Sequence, residues 1–193
     1  VFDNSPYQAY LIENSLSHDD TIWSKWVNSG TAKALPGVQR YVTQAKENGY
    51  EVFYISNRKD NLQEATMKNL RDLNLPFVDS MHVMLKAPSD TINKHSTKRY
   101  RRNKIREVYK QEIVQLIGDQ LADLHEAFEY SPTNYNADDS IAKYLPNFGK
   151  SFIVLPNPMY GDWYNVLVLE NIRPKDDAQA EQLRKKSFIP FKP

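Results

Sequence analysis

Cysteine is absent from the 193 residues, so no disulfide framework staples the chain and no thiolate can bind a metal. That fits a cell-envelope or secreted protein without demanding one. Glycine is scarce, six residues in all, and they form neither a Gly-rich phosphate loop nor a Gly-x-Ser-x-Gly elbow. P-loop and hydrolase-triad chemistry are therefore poorly supported. The four histidines, His18, His82, His95 and His125, have no metal-ligand spacing such as His-Glu-x-x-His. No apolar run approaches the ~20 residues of a membrane-spanning helix, and these residues include no signal peptide. Net charge is only +1, so no global field favours nucleic acid or a membrane surface. There is no initiator methionine either. Val1-Phe2-Asp3-Asn4-Ser5-Pro6-Tyr7 reads like the middle of a loop, and a processed or truncated start is expected.

What the chain does hold is length enough for one domain, or one domain with a small cap. It also holds 12 Tyr, 8 Phe and 3 Trp, more aromatic surface than a core alone needs. The apolar, β-branched run Glu112 to Ile117 predicts a buried strand. It ends at Gly118 and is followed by Asp119 and Asp123. In an open α/β sheet ligands collect at the carboxyl ends of strands, and two acids there suit a hard, oxygen-seeking cation such as Mg²⁺. An Asp-rich turn closing a strand would have the same residues. Further strands are expected at Glu51–Ile55, Met81–Leu85 and Ser151–Leu155. Helices are expected at about Thr21–Asn28, Val38–Asn48, Asn61–Leu73, Lys98–Lys110, Asp138–Tyr144 and Asp176–Lys186. His18-Asp19-Asp20 and Thr97 offer caps, Gly30 and Gly49 are stops, and Asn4-Ser5-Pro6 is turn chemistry. Pro88 to Ser96 is expected as a polar loop, and a mixed polar segment runs to about Asn136. Strands alternating with helices indicate an α/β sheet with right-handed crossovers.

Ser56 and Asn57 follow the second strand, where a hydroxyl and free backbone N–H groups can hold a phosphoryl oxygen, or simply cap a turn. Lys98 to Arg106 contains six basic residues in nine. Spread around a helix, most of them are expected in solvent, with one near the helix start able to reach an anion. A nucleic-acid interface would want further basic stretches or stacking aromatics.

Together these segments resemble the class C acid phosphatases of the haloacid dehalogenase (HAD) superfamily, which include bacterial envelope lipoproteins acting on nucleotides. Asp3-Asn4-Ser5-Pro6-Tyr7 is similar to the stretch just after the family's first motif. Ile55-Ser56-Asn57-Arg58 resembles the second, and Ser96-Thr97-Lys98-Arg99-Tyr100-Arg101-Arg102 the segment of the third, with its lysine at Lys98. Gly118-Asp119-Gln120-Leu121-Ala122-Asp123 resembles the fourth, and Phe152 to Trp163 a C-terminal signature. The resemblance implies a Rossmann-like HAD sheet as a single domain over residues 1–193, with a mainly helical cap around 14–34 and in the C-terminal part. It implies a Mg²⁺-dependent acid phosphatase acting on phosphomonoesters or nucleotides through an aspartyl-phosphate. Asp119 would ligate the metal and Asp123 orient its waters. Ser56 and the Asn57 backbone would hold phosphoryl oxygens, Lys98 would neutralise charge, and Phe2 and Tyr160 would sandwich a nucleotide base. A bacterial periplasmic, outer-membrane or secreted location, an upstream lipid anchor, a homo-oligomer and no nucleic-acid partner are the matching expectations.

Two departures stand out. Gln120 replaces the Asn usual after Gly-Asp, a longer amide able to shift a hydrogen bond. The first motif, Asp-x-Asp-x-Thr, which the family places immediately before the position of Val1, is absent. It supplies the nucleophile and the general acid/base, so the chain alone is expected to be inactive. Its strand is central in the superfamily's sheet, and its absence would leave strand edges unpaired. The sequence is therefore expected to omit residues of the natural protein. The alternative is a non-catalytic module of the same fold that binds a phosphorylated ligand.

Overall fold

Pro6 lies in the first turn of a helix, where its missing N–H is no loss and its fixed φ is already helical. Asn4-Ser5-Pro6, expected as a turn, therefore opens α1 (Ser5–Glu13). Tyr7 of α1 is buried, edge-on to Trp23 at 4.9 Å, and its hydroxyl pairs with His18 Nδ1 at 2.8 Å. The structure is a computed structural model describing residues 1–92, 95–129, 137–157, 159–161 and 176–187. It divides into two units, Val1–Gln111 and Glu112–Pro193.

In the first unit, α2 (Asp20–Ser29) begins and ends as its residues predict. The Asp19 carboxylate accepts from the N–H groups of Thr21 and Ile22, and Gly30 closes the helix at φ 64°. α3 (Val38–Glu47) precedes β1 (Tyr54–Lys59), a 3₁₀ turn at Asp60–Leu62 and α4 (Gln63–Asp72), and β2 (Val83–Lys86) then returns parallel to β1. A parallel pair needs such a crossover. The expected polar loop contains a short antiparallel hairpin, β3 (Thr91–Ile92) and β4 (His95–Ser96), with Asn93 and Lys94 outside the described residues. α5 (Arg99–Glu107) starts where the Thr97 hydroxyl accepts from the Arg99 N–H at 3.0 Å. Val27, Val42, Leu62, Leu70 and Val83 centre the core that packs these elements together.

The strand expected at Glu51–Ile55 is displaced. β1 starts at Tyr54 and carries Ser56-Asn57-Arg58 inside it. Between the pairs Ile55↔Met84 and Lys59↔Lys86, four steps on β1 oppose two on β2. The extra residues cannot join the ladder, so this stretch bulges.

In the second unit, β5 (Leu116–Gly118) precedes α6 (Leu121–Leu124), a 3₁₀ turn at Glu126–Phe128 and α7 (Ala137–Tyr144). β6 (Phe152–Val154) lies parallel to β5, with Leu116 opposite Phe152, and α8 (Asp177–Ser187) follows. Leu124, Phe128 and Phe152 form the core, with Leu116 and Phe148 against it. The long buried strand expected from Glu112 is corrected to three residues, with Val114 54% and Ile117 42% exposed. β5 has β6 on one side and, among the described residues, no strand on the other; β1 likewise has only β2. An edge strand with little above it cannot bury the apolar residues its sequence offers. Part of the expected polar segment, residues 130–136, lies outside the described residues, as do Pro158, Asp162 and Trp163 of the C-terminal signature.

Candidate active site

Each unit holds its own group of candidate residues. In the first, the bulge in β1 presents a half-buried Ser56 and an exposed Asn57, while Arg58 turns inward. The Ser56 hydroxyl accepts from the Arg58 N–H at 3.2 Å, so its own proton can be donated elsewhere. Arg58 lies with its guanidinium 4.4 Å from the Phe2 ring and 5.6 Å from that of Trp23, and donates to Thr66 Oγ1 at 3.2 Å. Phe2 is half-buried, bridged by its backbone to Ala34 and packed against the core, so this cation–π contact occupies one side of its ring.

Lys98 is half-buried at the N-cap of α5. The basic run is less solvated than its composition predicts, since Arg101 is 4% and Arg102 1% exposed. Arg101 Nη1 donates to the Ser56 carbonyl at 2.5 Å, and Nη2 to Asn57 Oδ1 at 2.7 Å and to the Thr97 carbonyl at 2.6 Å. Its Nε lies 3.1 Å from the carboxylate of Asp90, also buried. One guanidinium thus links the Ser56-Asn57 bulge to the residue before Lys98, some 40 positions along the chain. Removing one member of such a buried pair costs about 3–5 kcal/mol, because the other charge is left uncompensated. Nothing in the sequence singles out Arg101 or Asp90 beyond an arginine one helical turn after Lys98.

In the second unit, Asp119 directly follows β5 and is half-buried. Asn157 Nδ2 donates to Asp119 Oδ2 at 2.5 Å, and Asn157 Oδ1 accepts from the N–H groups of Met159 and Tyr160 at 3.1 and 3.3 Å. The amide therefore orients the carboxylate and folds its own loop together. Asn157 lies within the C-terminal signature, and its residue type alone does not single it out for the site. Gln120 donates from Nε2 to the Tyr160 carbonyl at 3.1 Å, tying that loop to the β5–α6 turn. Its amide lies where a side chain on Gly161 would sit, so the longer Gln is accommodated against a glycine at φ 148°. Tyr160 itself is 40% exposed.

Asp123 accepts from the Gln120 N–H at 3.3 Å through Oδ2 and packs against Gly118. A Cβ on Gly118 would stand 2.5 Å from Asp123 Oδ2. Gly118→Ala is accordingly expected to destabilise the protein by about 1–3 kcal/mol, the usual cost of overpacking. Denaturant unfolding measures it, and adding Asp123→Gly should recover part of the loss. A double variant no better than the sum of the two would show that the clash is not the cause.

As donors, Asp119 and Asp123 fit a hard cation: carboxylate oxygens, four residues apart on one turn. They do not complete a shell. Among the described residues no three His, Asp or Glu side chains are grouped to hold a metal.

The family model for the HAD superfamily, subfamily IIIB (acid phosphatase), matches residues 1–163. The chain is similar to the class C acid phosphatase of Bacillus anthracis, with a TM-score of 0.84 at 31% identity over 100% of this chain and 76% of that one. A structure of that enzyme with tungstate bound gives 0.85 at 32% identity, with the same coverage. Among sequences, it is 33% identical over 130 residues to the Stem 28 kDa glycoprotein of Glycine max, covering 64% of this chain and 48% of that protein. It is 34% identical over 127 residues to Acid phosphatase 1 of Solanum lycopersicum, again 64% and 48%. The chain thus spans about half the length of these plant relatives.

Proposed function

Because the chain belongs to the acid phosphatases of HAD subfamily IIIB, we propose that it serves the hydrolysis of phosphomonoesters with the help of a divalent cation, Mg²⁺ on our reading. The observation that carries this reading is the Arg101 link, which brings the Ser56-Asn57 bulge and the start of the Lys98 helix to one guanidinium. Ser56 donates its hydroxyl proton to a phosphoryl oxygen, the Asn57 N–H binds another, and the Lys98 ammonium neutralises charge as a compact point. Asp119, oriented by Asn157, would hold the cation, and Asp123 would act on it through water. A bound Mg²⁺ would supply charge neutralisation at the transferring phosphoryl group. Phosphoryl transfer asks the protein mostly for such positioning and electrostatics. The attacking carboxylate and the acid/base belong to an Asp-x-Asp-x-Thr segment, which none of these 193 residues supplies.

Residues 1–193 act as one phosphatase domain on this reading, with cap helices around 14–34 and in the C-terminal part. Nucleoside monophosphates are the proposed substrates, with Phe2 and Tyr160 as the proposed base-stacking residues. An exported or envelope location fits the glycoprotein name of the Glycine max relative, and an upstream lipid anchor and a homo-oligomer complete the proposal. Among the described residues, no helix is long and apolar enough to cross a membrane.

The test uses the chain extended upstream through Asp-x-Asp-x-Thr. Turnover of a nucleoside 5′-monophosphate and of a small alkyl phosphate is measured at one acidic pH and one Mg²⁺ concentration, with and without Tyr160→Ala. Base–aromatic stacking contributes roughly 1–3 kcal/mol, so the variant should raise KM for the nucleotide by about 5–150-fold and leave the alkyl phosphate nearly unchanged. Equal losses on both substrates would remove Tyr160 from the base site. An extended chain that binds phosphate esters but turns over neither would favour the non-catalytic module.

A further inference from the structure

We propose that Arg101 is a positioning residue that sets the directions of two backbone N–H groups, those of Asn57 and Lys98, with a single guanidinium. The inference rests on the reading that this half-site binds a phosphoryl group. Arg101 holds the Ser56 carbonyl at 2.5 Å and the Thr97 carbonyl at 2.6 Å. Neither following peptide is cis. In a planar trans peptide the carbonyl and the next N–H point in opposite directions. Drawing the Ser56 carbonyl toward the guanidinium therefore turns the Asn57 N–H away from it, and holding the Thr97 carbonyl does the same for the Lys98 N–H. Both N–H groups are aimed by carbonyls gripped from behind.

The side chain of Asn57 follows the same logic. Its Oδ1 accepts from Nη2 at 2.7 Å, so the amide oxygen is turned to Arg101, and the donors of Asn57, its backbone N–H and Nδ2, are the groups left to meet an anion. A guanidinium is a rigid fork of N–H donors, so the spacing of these three acceptors is set by covalent geometry rather than by rotamers. An ammonium has the charge but not the fork. Asp90 supports the arrangement twice. Its carboxylate lies 3.1 Å from Arg101 Nε and accepts from the Ala87 N–H at 3.2 Å, while its backbone carbonyl accepts from the Thr97 N–H at 3.2 Å. Thr97 is thus fixed through its carbonyl by Arg101 and through its N–H by Asp90. All three residues are buried, where water cannot take over the contacts.

The test is Arg101→Lys in the extended chain, with Asp90→Asn beside it. Lysine keeps a positive charge next to Asp90 but cannot hold the Ser56 carbonyl, Asn57 Oδ1 and the Thr97 carbonyl together. Misdirected groups at a reaction centre cost on the order of 10²-fold. The expected result is a fall in kcat of about 10–100-fold per folded molecule, with weaker inhibition by tungstate, an oxyanion probe of the same N–H groups, by a comparable factor. Asp90→Asn should shift both readouts in the same direction by less. If folded Arg101→Lys keeps the parent's kcat and tungstate inhibition, whatever its melting temperature, Arg101 is only a structural tie and the proposal is overturned. Should Arg101→Lys fail to fold, Asp90→Asn decides, and unchanged readouts there overturn it equally. A parent chain without turnover would refute the phosphatase reading instead. Tungstate affinity of parent and variant, measured by calorimetry, then still decides the role of Arg101.

Discussion

Asp119→Asn in the extended chain should abolish Mg²⁺-dependent turnover. Asparagine is nearly the same shape and can keep its oxygen toward Asn157, whose Nδ2 now holds the carboxylate at 2.5 Å. What it loses is the negative charge that binds a hard cation. Cation neutralisation of a transferring phosphoryl group contributes several kcal/mol, and each 1.36 kcal/mol is tenfold in rate, so a loss of about 10²–10⁴-fold is expected. Asp123→Asn should cost less, roughly 10–100-fold, because its effect passes through water around the ion. The variants are assayed after chelator treatment and titration with Mg²⁺. Full activity in both at the parent's Mg²⁺ requirement would mean that the cation is held elsewhere. The order matters as well: an Asp123 variant more damaging than the Asp119 variant would reverse the two roles.

The 193-residue chain by itself should show no turnover of any phosphomonoester, while the form extended through Asp-x-Asp-x-Thr does. The chemical reason is direct. On the proposed reading Ser56 and Lys98 bind the phosphoryl group and Asp119 and Asp123 serve the cation, which leaves no carboxylate as nucleophile with an acid/base beside it. A structural reason adds to it. Among the described residues β1 and β5 each have a strand on one side only, and apolar Val114, Ile117 and Val154 lie exposed on or beside β5 and β6. Open strand edges and uncovered apolar residues are the mark of a sheet that pairs further. The extended form should therefore unfold at a higher temperature as well as turn over. Metal-dependent hydrolysis by the 193-residue chain, surviving purification to homogeneity, would place the nucleophile inside it.

How far the sequence could be read depended on whether a signal was local. The start and end of α2 were legible because the Asp19 cap and the Gly30 stop act within a single turn. At α5 the N-cap is Lys98, with no side-chain cap hydrogen bond, and Thr97, expected as the cap, sits one residue earlier and accepts from the Arg99 N–H. The parallel crossovers followed from alternating strand and helix patterns, which the β1–β2 and β5–β6 pairs realise. Boundaries were less legible wherever a neighbour decides them. Glu112 to Gln115 has the β-branched composition of a strand, yet the ladder begins only at Leu116, where the second-unit sheet supplies a partner in Phe152. Ser56-Asn57-Arg58 was read as following a strand, and the unequal register against β2 places it inside one.

The site divides along the same line. Residue type and place at a strand end marked Ser56, Asn57, Asp119 and Asp123, and the resemblance singled out Lys98 within its basic run. Tertiary structure alone decided what orients them. Arg101 looked like one more solvated cation in a basic run until burial placed it against Ser56, Asn57, Thr97 and Asp90. Asn157 was one residue within the C-terminal signature until its amide met Asp119 across 38 residues. A functional group is written into one residue, whereas the direction in which it points depends on hydrogen bonds between residues far apart in the chain, and those exist only once the backbone has closed on itself.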